Sequence, residues 1–225
     1  SLLARATVRY SSVSRLACYD TGLYRVKGRQ SVKRATSAQE KLFETAARLF
    51  YQHGYQATGV DTIAAESGVG KMTLYRHYPS KADLIEAFLR DSDTQFWEEF
   101  EWATADAKTA REKLLAFFEN LQEYVLSPAC YGCPFLNVTA EFPEAGAVGH
   151  QAAIEHKQAV QKRFQQLAEA AGARRPEALA DALFLLMDGA YMAARTFGST
   201  PGSPAAHLAE AARHLVAVHC EAEPG

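Results

Sequence analysis

Between Gly70 and Pro79 the chain reads Lys71-Met72-Thr73-Leu74-Tyr75-Arg76-His77-Tyr78. Lys71, Thr73, Tyr75, Arg76 and His77 carry donors suited to phosphate oxygens or base edges, and Leu74 among them supplies an apolar anchor. On a short helix, that mixture lays polar groups along a surface while Leu74 faces inward against Ile63 and Ala64. Thr62 lies near the start of the preceding segment, where free amides and a hydroxyl suit a phosphate, and Lys81 follows just after Ser80. A second chemistry-bearing stretch is Cys130-Tyr-Gly-Cys133-Pro134. Cys133 precedes a helix beginning at Pro134, where the helix dipole favours a thiolate. It is therefore a candidate sensor of electrophiles or oxidants, with Cys130 as resolving partner; structural, inert cysteines are the alternative. A zinc reading would add His150 and His156, but the spacing is unlike that of a metal site, and no metal or other cofactor is implied.

Helices must position these groups. Ser37-Ala-Gln-Glu40 is a capping box, and Leu42, Phe43, Ala46, Ala47, Leu49 and Phe50 then recur at helical spacing up to Gly54. Short helices are expected from Val60 to Ser67 and from Lys71 to His77, joined by a turn at Gly68. Ser80 to Asp83 opens a long helix to about residue 104. Further helices are expected around 114–125, 134–141 and 147–171, from Pro176 at a helix N1 position to Phe197, and from Ser203-Pro204 to about Cys220. Convincing strand alternation and internal repeats are absent, so the fold class is all-α. Two short helices joined by a tight glycine turn make a helix-turn-helix, whose second helix fits the DNA major groove while the first crosses the backbone.

The chain has 225 residues, 48% hydrophobic and 22% charged, with a net charge of −2. The charge is unevenly placed. Residues 1–36 hold eight Lys or Arg and one acid, for +7, and the remainder holds 16 and 25, for −9. A basic end on an acidic body suits a protein that meets phosphate at one end only; alternatively, 1–36 is a disordered leader with no DNA role. No apolar run approaches the ~18–20 residues of a membrane span, and no signal peptide is evident, so a cytoplasmic location is expected. Four scattered cysteines do not make a disulfide framework. Glycine-rich phosphate loops, Gly-x-Ser-x-Gly elbows and His-Glu-x-x-His helices are absent, so no enzyme is indicated.

The stretch from Gly54 to Leu84 resembles the DNA-binding region of the tetracycline-repressor (TetR/AcrR-like) family. The matching residues are Gly54, Tyr55, Thr58, Val60, Ile63, Ala64, Gly68, Val69, Thr73, Leu74, Tyr75, His77, Ser80, Lys81 and Leu84. Gly59, Gly70, Met72 and Tyr78 depart from the pattern, and the two glycines remove possible phosphate contacts. The resemblance implies a helix-turn-helix domain at 37–84 after a leader at 1–36, then a helical ligand-binding and dimerisation domain at 85–225. It implies a homodimer on double-stranded, palindromic operator DNA, most simply a repressor released by a small-molecule effector, with an activator or a protein-binding adaptor as alternatives. The effector would be apolar or aromatic, bound by residues drawn from Trp97, Phe100, Phe118, Phe135, Asn137, Glu141, His156, Met187 and Tyr191. Asp188 is a further polar candidate, and Tyr124 and Phe117 belong to the same aromatic group. The last two helices would meet their copies through Leu179, Leu183, Leu186 and Ala190, with Ala182, Ala193 and Ala194 allowing close approach, and through Leu208, Ala211, Ala212, Leu215 and Val218. The same residues could instead build the protomer's own core.

Overall fold

The computed structural model describes residues 37–220; the basic leader expected at 1–36 lies outside the described residues. Among the described residues there are nine α-helices, one 3₁₀ turn and no strand.

Helix α1 (Ala38–His53) begins at the expected capping box: the Ser37 hydroxyl accepts from the Glu40 amide, and Glu40 Oε2 accepts from the Ser37 amide at 2.7 Å. It buries Leu42, Ala46, Ala47, Leu49, Phe50 and Tyr51. It ends at Gly54, whose φ of +93° closes the helix through a bond from its amide to the Phe50 carbonyl. A Cβ at Gly54 would also sit 2.7 Å from Glu141 Oε1, so glycine serves both conformation and close approach. Helices α2 (Val60–Ser67) and α3 (Lys71–His77) pack across α1 through fully buried Ile63 and Leu74.

Helix α4 (Lys81–Thr104) opens with a second capping box, Ser80 with Asp83. Its first turns bury Leu84, Ile85, Phe88 and Leu89; Phe88 packs against Phe50 and Tyr55 of the N-terminal unit, with ring centroids 6.1 and 6.0 Å apart. Its later turns bury Ser92, Gln95, Phe100 and Thr104 in the body of the protein. One helix therefore belongs to both halves of the molecule.

The body comprises α5 (Ala110–Val125), α6 (Pro134–Glu141), α7 (His150–Ala170), α8 (Pro176–Phe197), the 3₁₀ turn Pro204–His207 and α9 (Leu208–Cys220). Helix α5 is central and touches α4, α7, α8 and α9, while α7 and α8 share the most extensive contact. Two boundaries differ from the sequence reading. Helix α7 starts at His150 rather than near 147, because Gly149 has φ +75°, where a Cβ would strike Leu89 and Val138 at 2.7 Å, and its amide bonds to Glu86. The last helix is preceded by a 3₁₀ turn: Ser203 caps Ala205, and Gln122 of α5 takes the Ala209 amide at 2.9 Å, which fixes where the α-helix begins.

Of the residues expected either to meet a second copy or to build the protomer's own core, six do the latter, while Val218 faces outward. Leu179, Leu183, Ala190, Ala194, Leu208 and Ala212 are buried within the protomer, because α8 and α9 use that face against α5, α7 and each other. The large apolar residues of these two helices left facing outward are Leu185 (69% exposed), Met192 (50%), Phe197 (48%) and Val218 (66%).

Candidate functional site

The helix-turn-helix presents α3 on the surface. Leu74 at its centre is fully buried, which fixes the helix rotation, and Lys71, Met72, Tyr75 and Arg76 are exposed while Thr73 and His77 are half-buried. Thr62 is exposed in the first turn of α2, where no side chain caps the helix and Gly59 is the N-cap. Lys71 is not a free cation: its Nζ lies 2.7 Å from Asp61 Oδ1, and that hydrogen bond and charge raise its pKa. Both groups are solvent-exposed, so a phosphate can compete for the ammonium. Lys81 is half-buried, with its Nζ 3.4 Å from the Gln56 carbonyl; burial lowers its pKa and the Glu141 charge opposes that shift. Arg48 on α1 and Glu66 on α2, 2.5 Å apart, brace the pair from behind. Met72, noted in the sequence only as a departure from the family pattern, is an apolar group 83% exposed on this helix.

A second site lies in the body. A cavity of about 50 Å³ is bounded by α4, α5, α7, α8 and the segment Gly132–Phe135. Of the candidate ligand-binding residues, Phe100, Phe135, His156, Met187 and Tyr191 line it together, with Phe96, Phe117 and Tyr124. Four others lie elsewhere. Phe118 is fully buried in the core, clustered with Phe117 and Phe164 at centroid distances of 5.2 and 5.7 Å. Trp97 flanks the cavity through Phe96 and donates its indole N–H to Asp93 at 3.2 Å. Asn137 donates to the Tyr131 carbonyl. Glu141 reaches the N-terminal unit, where its two carboxylate oxygens accept from the Tyr55 and Gln56 amides at 3.0 and 2.7 Å. Asp188 is held by Lys157 in a largely buried ion pair.

His156 is the most constrained polar group of the cavity. Its ring stacks on Phe135 at 3.8 Å between centroids, meets the edge of Phe96, and places Nδ1 2.7 Å from Asp93 Oδ1. Burial lowers its pKa and outweighs the opposing pull of Asp93, so at neutral pH the ring is uncharged, with Nδ1–H donating to Asp93. The sequence reading missed Gln95 and Glu99 of α4, Asn120 of α5 and Lys157 of α7, all of which line the cavity. The available signal was Ser92, Gln95 and Glu99 following Phe88 at helical spacing, polar residues on a buried face.

The cavity wall is joined to the N-terminal unit. Tyr51 of α1 donates its hydroxyl to the Gly132 carbonyl at 2.9 Å, accepts from the Tyr131 amide, and lies 2.6 Å from the Tyr124 hydroxyl. Tyr55 donates to the Pro134 carbonyl at 2.9 Å. Gly132 and Pro134 flank Cys133, and all three line the cavity. Cys133 and Cys130 are both buried free thiols. Burial pushes Cys130 up to about 11, so it keeps its proton at neutral pH.

No helix among the described residues is long and apolar enough to cross a membrane. Residues 42–88 match the family described as bacterial regulatory proteins, tetR family, and residues 110–215 match the tetracyclin repressor-like C-terminal domain. The chain superposes on a TetR-family transcriptional regulator from Streptomyces coelicolor with a TM-score of 0.72 and 31% identity, covering 80% of this chain and 92% of that one. Among curated proteins, it is 32% identical over 82 residues to the transcriptional repressor KstR2 of Mycolicibacterium smegmatis, covering 36% of this chain and 40% of that protein. It is 31% identical over 85 residues to the transcriptional activator FasR of the same organism, covering 38% and 39%. The chain thus spans less than half the length of these curated relatives.

Proposed function

The chain belongs to the TetR family of DNA-binding transcription regulators, and on that footing we propose that it is a repressor that binds a palindromic operator as a dimer and is released by a small aromatic or apolar effector. The observation that carries this reading is the union of the two sites: the cavity wall at Gly132–Pro134 is hydrogen-bonded to Tyr51 and Tyr55 of the helix-turn-helix unit. An apolar cavity able to take benzene measures about 150 Å³. The cavity here, at about 50 Å³, is too tight for an aromatic molecule, so a ligand must push its walls apart. It then prefers an expanded conformation to this one, and that difference in affinity is what a ligand needs to shift a conformational equilibrium. Displacing the wall pulls on Tyr51 and Tyr55, and displacing α4 moves the same unit through Phe88, changing the separation of two recognition helices in a dimer.

The dimer contact assigned by this reading is the outward stripe of α8 and α9 containing Leu185, Met192 and Val218. Operator contacts are assigned to Thr62, Lys71, Thr73, Tyr75, Arg76, His77 and Lys81. The test is selection of genomic fragments by the purified protein, followed by titration of the best fragment at several salt concentrations. The expected result is a palindromic site bound by a dimer, with affinity falling steeply as salt rises. Recovery of no enriched site by a folded dimer would overturn it.

A second mode of release rests on Cys133 in the cavity wall: addition of its sulfur to an electrophilic carbon, its proton passing to the adduct. Cys130, retaining its proton, is a poor resolving nucleophile, which favours adduct formation over a disulfide. If Cys133→Ser leaves release by a thiol-reactive enone unchanged, this mode fails.

A further inference from the structure

The lining of the cavity also constrains the charge of what enters it. Glu99 is the only acidic residue in that lining. Its Oε1 accepts from Asn120 Nδ2 at 3.1 Å, and no cation is paired with it among the described residues. The neighbouring basic groups are already engaged: Lys157 with Asp188, Arg163 with Glu101 at 3.3 Å, and the His156 ring with Asp93. An anionic ligand would therefore meet a carboxylate and find no uncommitted cation. Beside Glu99 stand the rings of Phe96, Phe100 and Phe117, with centroids 5.1 to 6.5 Å apart. Aromatic faces are negative and attract cations, and they take up an apolar ring equally well. Burial raises the pKa of Glu99, against the pull of Asn120, so its charge is held at a disadvantage that a bound cation would relieve.

Resting on the effector reading above, we propose that the cavity takes a protonated amine carried on a small aromatic body, with the ammonium on the Glu99 carboxylate and the ring among Phe96, Phe100 and Phe117. Asn120 holds the carboxylate in place and leaves its other oxygen for the ligand. His156, neutral with Nδ1–H on Asp93, keeps Nε2 as an acceptor rather than a second positive charge that would repel the amine.

The test is calorimetric titration of the full chain with 2-phenylethylamine, 2-phenylethanol and phenylacetate, three probes with one ring and different charge. The parent protein is expected to bind the amine roughly tenfold more tightly than the alcohol, as one charge-assisted hydrogen bond implies, and to bind phenylacetate most weakly. In Glu99→Gln the amine should lose that advantage while the alcohol changes by less than about twofold. Equal affinities for amine and alcohol, an amine preference that survives in Glu99→Gln, or no binding of any probe would each overturn the proposal. The same probes added to the protein–operator complex test the parent reading separately. Amine binding through Glu99 that leaves the operator occupied would uphold the charge assignment and count against effector release.

Discussion

Replacing Glu141 is the most direct test of how the N-terminal unit is held to the body. In Glu141→Ala two carboxylate acceptors are lost, one at 3.0 Å from the Tyr55 amide and one at 2.7 Å from the Gln56 amide. Hydrogen bonds to charged groups contribute about 1.5–3 kcal/mol each when well shielded. The Tyr55 bond is part-buried and the Gln56 bond exposed, so water replaces much of what is lost, and a total near 2 kcal/mol is expected. For a domain of this size, each kcal/mol moves the melting temperature by about 2–4 °C, giving a fall of about 4–8 °C. Glu141→Gln keeps one acceptor but turns an amide group toward the other N–H, so its fall should be at least half as large. Hydrogen exchange provides the local readout: the Tyr55 and Gln56 amides should exchange faster in Glu141→Ala while the Leu114–Leu121 core of α5 is unchanged. A melting temperature within 1 °C of the parent, with those two amides still protected, would refute the account.

Three further outcomes are expected. Tyr51→Phe and Tyr55→Phe each remove a buried bond to the cavity wall; the pair should keep operator binding within about threefold, yet need several times more effector for release, and an unchanged effector midpoint would exclude this route. Because burial lowers the pKa of His156, the unfolded chain binds a proton that the folded chain resists, so stability is complete above about pH 6.5 and falls as pH drops below it; the urea midpoint should fall between pH 7.5 and 5.5, and His156→Gln should flatten that slope. Leu185→Asp with Val218→Asp places charge on the outward stripe of α8 and α9 without touching the core; sedimentation should show monomers that retain the parent helical content, and an unaltered dimer would move the interface elsewhere.

Much of the helical frame was legible because its boundaries are local chemistry. Ser37 with Glu40, Ser80 with Asp83, and Pro176 at a first helical turn mark starts within a few residues of themselves. The start of α7 was misjudged because the reason lies in three dimensions, where Leu89 and Val138 crowd Gly149. The exposed polar surface of α3 followed from Leu74 as its sole buried residue, but the Asp61 partner of Lys71 did not, since it lies on another helix. Glu141 was read as a ligand group because it stands in an aromatic neighbourhood; its actual partner, the Tyr55 amide, is 86 residues away. The outward face of α8 was not separable from its core face, because α8 is apolar around most of its circumference and periodicity alone does not distinguish Leu183, fully buried, from Leu185, mostly exposed.

The two tryptophans of the chain both stand on α4, five residues apart. Trp97 lies edge-on to Phe96 in the cavity lining and shares the Asp93 carboxylate with His156, whereas Trp102 is half in solvent. Trp102→Phe would therefore leave a single indole, one ring removed from the cavity, whose emission responds to changes in the lining. A guest that displaces Phe96 or draws on the Asp93 charge must alter its intensity or colour. The protein thus carries a built-in optical gauge of occupancy, usable on unlabelled material and without knowledge of the operator.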